Sequence, residues 1–252
     1  MKSFKIQKAI QKLLIISLVL LSGYSFGQLK NTTVKHFDKV IVSPHIAVNF
    51  VEGTSESVTV HSSTEPLEKL NIEVVGKTLR LYLEGAKMVT KQEKTSTDKW
   101  KKSIYKGTVV TATITYKQLK ELSLRGEEKF VCESVLTGPE FKLKLYGESE
   151  VYLNEVDLDN LTTSIYGESY LEVKKGAVGK QKITAYGEST INTLEANSIE
   201  TKITAYGEGS YRVAVSDRLK VTAYGEAVVA YAGSPEVDRG MIIGEAEIQK
   251  ID

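Results

Sequence analysis

From about residue 121 onward, apolar and polar positions alternate with period two in short runs, each run broken by a glycine. Ahead of the glycines stand Phe141, Leu143 and Leu145, then Leu161, Thr163 and Ile165, then Ile183 and Ala185, then Ile203 and Ala205, then Leu219, Val221 and Ala223. Behind them stand Val151 and Leu153, Leu171 and Val173, Ile191, Tyr211 and Val213, and Val229 and Tyr231. Such alternation marks half-buried strands, whose side chains point to opposite faces in turn, and not helices, whose apolar stripe recurs every 3.6 residues.

The glycines belong to a recurring tetrapeptide: Tyr146-Gly147-Glu148-Ser149, Tyr166-Gly167-Glu168-Ser169, Tyr186-Gly187-Glu188-Ser189, Tyr206-Gly207-Glu208-Gly209 and Tyr224-Gly225-Glu226-Ala227. They are spaced 20, 20, 20 and 18 residues apart, and degenerate copies at Arg125-Gly126-Glu127-Glu128 and Ile243-Gly244-Glu245-Ala246 extend the series by 21 and 19. Seven turns of one structural unit are implied. A unit of this length holds two short strands, a glycine corner and a polar return such as Asp157 to Asn160, and it is too short for a βαβ crossover of roughly 30 residues. The expected fold is all-β, a β-solenoid whose turns stack about 4.8 Å apart and pair in parallel with the turns above and below. An antiparallel sandwich or a propeller shows the same local alternation. Glycine and tyrosine recurring in register favour the solenoid, because equal positions stack there.

Residues 28–120 form an N-terminal β region expected to cap one end of the solenoid, which occupies 121–252. Phe37 to Phe50, Ser57 to His61, Leu70 to Val75, Leu79 to Leu83 and Thr108 to Thr115 all alternate as strands. Between them, residues 85–107 are polar, carry seven lysines and the single tryptophan Trp100, and are expected to be a long basic surface loop. At the start, Lys2, Lys5, Lys8 and Lys12 precede the apolar run Leu13 to Leu21, and small residues lead up to Gln28. Residues 1–27 therefore read as a secretory signal peptide cut after Gly27, followed by an exported mature chain with no transmembrane span.

Composition narrows the chemistry. Thirty-three Lys and Arg against 32 Asp and Glu leave a net charge of +1, which gives no global attraction for nucleic acid or anionic lipid. The single cysteine, Cys132, excludes an intrachain disulfide, and with only three histidines (His36, His45, His61) it makes no Cys/His zinc site. No cofactor is expected. Tyrosine supplies 13 of the aromatic residues, against six Phe and one Trp, and the repeat explains the excess.

In register, Tyr146, Tyr166, Tyr186, Tyr206 and Tyr224 make a tyrosine ladder at the corner, and Glu148, Glu168, Glu188, Glu208 and Glu226 make an acidic ladder two residues on. Lys142, Lys182, Lys202 and Lys220 make a third, interrupted by Thr162. Stacked rings stabilise neighbouring turns; they also form an aromatic strip with hydroxyl edges, suited to stacking sugar rings or an aromatic partner. A column of glutamates about 5 Å apart repels itself by on the order of 1 kcal/mol per pair. Splaying into solvent or lysine partners would relieve it, as would Ca²⁺, although one Glu per turn falls short of the six to eight oxygens that ion takes.

The succession FDKVIVSPHIAVNFVEG (37–53), EVVGKTLRLYL (73–83), VTATITYKQLKELSLRG (110–126) and VAYAGSPEV (229–237) resembles the bacterial head GIN domain family of autotransporter adhesins, over roughly residues 34–236. That family's corner is commonly Gly-Ser-Gly, and here it is Tyr-Gly-Glu-Ser. The resemblance implies a right-handed β-helix-like fold, export and a cell-surface or adhesive role, and it brings no catalytic residue.

Two functions from different classes follow. One is an exported, non-enzymatic scaffold, a monomer or small closed oligomer, that presents its ladders to a glycan or an envelope protein. The other is a β-helix enzyme acting on polysaccharide, which needs a pair of carboxylates. An active site interrupts a repeat at one place, and residues 126–236 show no such irregular cluster, so the scaffold is favoured.

Overall fold

The computed structural model describes residues 30–94 and 101–251; the expected signal peptide and Trp100 lie outside the described residues. In chain order the strands are β1 (Lys30–Thr33), β2 (Lys39–Val42), β3 (Ile46–Glu52), β4 (Ser57–Ser63), β5 (Leu70–Val75), β6 (Thr78–Leu83), β7 (Gln92–Lys94), β8 (Lys101–Ser103), β9 (Val110–Tyr116) and β10 (Glu121–Gly126). They continue as β11 (Lys129–Cys132), β12 (Leu136–Gly138), β13 (Phe141–Gly147), β14 (Glu150–Leu153), β15 (Val156–Gly167), β16 (Tyr170–Val173), β17 (Gly176–Tyr186), β18 (Ser189–Ala232) and β19 (Glu236–Lys250). The later strands are long because the backbone stays extended through successive corners.

The pairing is that of a β-solenoid. β10 lies parallel to β13, β13 to the second half of β15, and that segment to β17, with Gly126 opposite Gly147, Gly147 opposite Gly167 and Tyr166 opposite Tyr186. A second parallel ladder runs β11–β14–β16–β18, and a third joins β12 to the start of β15 and then to β17 and β18. Seven positive-φ glycines mark the corners, from Gly126 to Gly244, and they delimit about six full turns. The alternation is therefore a solenoid's and not that of a sandwich or propeller.

The N-terminal strands enter the same sheet. β2 sits in parallel register between β6 and β10, and β3 between β9 and β11, so residues 39–52 form one more layer of the coil. Beyond that layer the direction reverses. β5 adds antiparallel to β6, β4 adds antiparallel to β9, and β1 adds antiparallel to β4. Antiparallel strands covering the end of a parallel stack stop further coiling and leave fewer open edges. Within the basic stretch 85–107, expected as a loop, β7 pairs antiparallel with β8.

The interior consists of stacked columns. Leu79, Val40, Leu122, Leu143, Thr163, Ile183 and Ile203 succeed one another through the pairing, all at 0% exposure. Each full aliphatic burial contributes roughly 1.5–3 kcal/mol against chain entropy. Cys132 belongs to this core, and burial alone pushes its thiol far above the ordinary range, so it is a packing residue. No helix among the described residues is long and apolar enough to cross a membrane.

Candidate functional site

Each letter of the tetrapeptide has a separate task. The glycine turns the corner at positive φ (128° at Gly167), where L side chains are disfavoured. Its carbonyl then receives the next turn: the Glu168 amide donates to Gly147 O at 2.9 Å and the Ser169 hydroxyl donates to the same oxygen at 3.0 Å. Glu148 and Ser149 treat Gly126 O alike, at 3.0 and 2.9 Å. The serine thus lies inside, and the glutamate side chains of the column from Glu148 to Glu226 are all exposed. No three His, Cys, Asp or Glu side chains converge on a common point among the described residues. The carboxylates of the acidic column therefore reach water.

The tyrosines stack. Ring centroids are 5.0 Å apart between Tyr146 and Tyr166 and between Tyr166 and Tyr186, 4.7 Å between Tyr186 and Tyr206, and 4.9 Å between Tyr206 and Tyr224, with interplanar angles of 3 to 8°. This geometry changes the chemistry expected from sequence. The faces of the inner rings are turned to one another, so sugars cannot stack on them, and solvent meets a row of ring edges and phenol hydroxyls. Tyr166, Tyr186 and Tyr206 remain 43%, 40% and 37% exposed.

Two further columns share this wall of the coil. Residues two before the tyrosines give Lys144, Ser164, Thr184 and Thr204; residues four before give Lys142, Thr162, Lys182 and Lys202. Several cations here have acids at hand: Lys144 with Glu121 at 2.7 Å, Lys142 with Glu140 at 3.1 Å, Lys180 with Glu200 at 3.4 Å, Lys220 with Asp238 at 2.7 Å. Lys182 and Lys202, opposite each other on adjacent turns, have no carboxylate within salt-bridge distance among the described residues. They flank a groove of about 400 Å³ that also takes in Thr162, Thr201 and Arg218.

The ladder ends where the repeat is broken. Arg125 takes the tyrosine's place and lays its guanidinium over Tyr146, 5.1 Å from the centroid. Glu128 takes the serine's place and is 4% exposed. One layer further, Pro44 and His45 stand where the other turns have Gly-Glu, and His45 adopts a positive φ of 73°. Its ring ties down the basic stretch: Nδ1 donates to Gly107 O at 2.7 Å, Nε2 lies 2.7 Å from Thr90 Oγ1, and Nδ1 also lies 4.0 Å from Glu128 Oε1. Between that stretch and the corner lies a cavity of about 800 Å³ whose walls include Met88, Val89, Tyr105, Arg125 and Tyr146. The sequence hid this place because its first corner has no glycine; the lone signal was the change from Tyr-Gly-Glu-Ser to Arg-Gly-Glu-Glu.

Burial pushes the Glu128 carboxyl above the usual range, offset in part by His45 and by the backbone amides of Glu127 and His45. The folded chain thus binds this proton more readily than the unfolded chain. The stability it confers is full below the ordinary carboxylate range and falls as pH rises through it toward the raised folded value. In Glu128→Gln, melting temperature should decline less between pH 5 and pH 7 than in the parent; parallel curves would show that Glu128 does not carry the effect.

With the geometry in view, the family profile described as "Putative auto-transporter adhesin, head GIN domain" matches residues 36–235. The chain belongs to the head GIN domain family. Among solved structures, a "putative adhesin" from Bacteroides fragilis shares 16% identity at a TM-score of 0.70, covering 88% of this chain and 95% of its own. A "putative adhesin" from Parabacteroides merdae shares 21% at 0.63, covering 89% and 96%. A "putative lipid binding protein" from Parabacteroides distasonis shares 19% at 0.64, covering 90% and 98%. At such identities these structures establish a shared fold. No curated protein matches the chain. Family membership supports a surface, adhesin-like role for this head GIN protein.

Proposed function

We propose that this chain is an exported, non-enzymatic surface protein that binds an acidic glycan along the wall formed by its tyrosine, hydroxyl and lysine columns. The observation that carries the reading is the register of that wall: phenols at Tyr166, Tyr186 and Tyr206, hydroxyls at Ser164, Thr184 and Thr204, and the ammoniums of Lys182 and Lys202, which form no salt bridge among the described residues while the nearby Glu200 pairs with Lys180. An extended polymer carrying hydroxyls and carboxylates finds donors and acceptors repeating about every 4.8 Å along the coil. Two lysines on adjacent turns without a salt bridge of their own repel each other, and an anionic ligand relieves that repulsion. The glutamate ladder, one step around the corner, bounds the strip and disfavours an acid lying on it. A monomer or small closed oligomer presents this wall freely.

A glycan array probed with residues 28–252 tests the reading. Acidic glycans should bind saturably. Tyr166→Ser, Tyr186→Ser and Tyr206→Ser combined, with a retained β-rich circular dichroism spectrum, should weaken binding at least tenfold. Lys182→Gln with Lys202→Gln should also weaken it and flatten its dependence on salt. Binding unchanged in both variants would remove the wall from the function, and preference for neutral glycans would remove the role of the lysines.

A further inference from the structure

We propose that the cavity at the Arg125 end of the tyrosine ladder is a second binding site, for a carboxylate-bearing ring of monosaccharide size. The proposal rests on the glycan reading of the adjoining wall and names its end-point: an acidic chain lying along the tyrosines would place a terminal residue here. At about 800 Å³ the space lies within the ordinary range of small-molecule sites.

Three features of the cavity point to this ligand class. The first is an uncommitted cation. The Arg125 guanidinium has no carboxylate partner among the described residues; its Nη1 contacts the thioether of Met88, a weak acceptor, and its Nε is buried without a partner. Its place over Tyr146, 5.1 Å from the ring centroid, sets the guanidinium at the cavity wall, where its Nη groups can donate to a carboxylate. The second is the state of the neighbouring acid. Glu128 folds back beneath Gly126, accepts the Glu127 amide at 3.0 Å and lies 4.0 Å from His45 Nδ1, so its carboxyl is turned to the backbone and forms no ion pair with Arg125. The third is the opposite wall, where Tyr105, Met88 and Val89 supply apolar surface for the body of a ring; Met88 and Val89 are 62% and 78% exposed, an unusual state for such side chains without a cover.

The wall is built and not incidental. His45 bonds Gly107 at one end of the basic stretch and Thr90 near the other. Tyr105 packs edge-on to His45 with ring centroids 5.6 Å apart and donates its hydroxyl to Glu84 O at 2.9 Å. His45 and Tyr105 are therefore positioning residues, with their polar atoms already satisfied, and Arg125 is the group left to meet the ligand. Lys106 and the exposed Glu127 also line the cavity and offset one another in charge, which leaves Arg125 as its unpaired cation.

The test titrates the full mature chain with glucuronic acid, with glucose, and with an oligomer of uronic acid, read by calorimetry or ligand-observed NMR. Glucuronic acid should bind saturably and glucose should not. Arg125→Gln should weaken the acid at least tenfold, and Arg125→Lys should recover part of the loss. Val89→Asp, at an exposed rim position that tolerates substitution, should weaken it as well by setting a like charge at the mouth, and it keeps the test open if the Arg125 variants fold poorly. The combined Tyr166, Tyr186 and Tyr206 serine variant should bind glucuronic acid as the parent does while losing the oligomer, which separates a failure of this site from a failure of the wall. Equal binding of glucose and glucuronic acid, no saturable binding of the acid, or full affinity in both Arg125→Gln and Val89→Asp would overturn the proposal. Tight binding of the oligomer with none of the free acid would overturn it too and leave the wall as the sole site.

Discussion

Gly167→Ala is expected to lose about 3 kcal/mol of folding stability, measured by urea denaturation, although it adds a single methyl at the surface of a regular repeat. Two costs combine. The residue sits at φ +128°, where an L side chain is strained, and its new Cβ would run into the carbonyl oxygen of Gly147. That oxygen is backbone, so no rotamer change moves it aside. It is also the acceptor for the Glu168 amide and the Ser169 hydroxyl, at 2.9 and 3.0 Å, so displacing it weakens two bonds between turns. Gly76→Ala separates the costs: Gly76 has φ +61° but nothing lies within 4 Å of the place its methyl would take, so strain alone should show there, about 1 kcal/mol. Equal losses at the two positions would show that the stacked carbonyl is not what demands glycine.

Gly209→Ser, which restores the tetrapeptide's own serine, is expected to destabilise by about 2 kcal/mol. The reason lies two residues away. Tyr211 occupies the place that Val151, Leu171, Ile191 and Val229 hold in other units, it is 1% exposed, and its hydroxyl would stand 2.5 Å from a Cβ on residue 209. The oversized ring and the missing side chain are one adaptation. Tyr211→Ile alone should cost stability by leaving a void. The double variant should be more stable than the two single losses predict, with a coupling of about 2 kcal/mol in a double-mutant cycle. Additive losses would mean that the two departures from the repeat are unrelated.

The repeat was legible because the solenoid puts equal positions into equal surroundings. Leu143, Ile183 and Ile203 face the core at the same height of the turn, so period two and period twenty appeared together in the sequence. The tyrosine ladder followed from the same register, but its chemistry did not: a sequence places Tyr166 opposite Tyr186 without showing that the rings lie 4° from parallel and cover each other's faces. The cavity was out of reach for a different reason. Its floor is a corner built from Pro44 and His45, where histidine takes the positive φ that glycine takes elsewhere, held by bonds to Thr90 and Gly107 from a stretch 45 and 62 residues on. Such long-range bonds outweigh a local backbone cost and leave no periodic trace. The same bonds turn residues 85–94 and 101–107, from a stretch whose composition is that of a solvated loop, into a wall.

The seven stacked corners also bear on how such a protein can change. Each turn rests on its two neighbours, so duplication or loss of one of the regular twenty-residue units inserts or removes a whole layer while most contacts keep their kind. Each of the five tyrosine layers brings one phenol, one hydroxyl position and one position for a cation to the wall. For a polymer that engages the wall along its length, the number of layers sets valency, and avidity scales with it through effective concentration. Grip strength in this architecture is thus open to adjustment in steps by internal duplication alone, while the chemistry of each step stays the same.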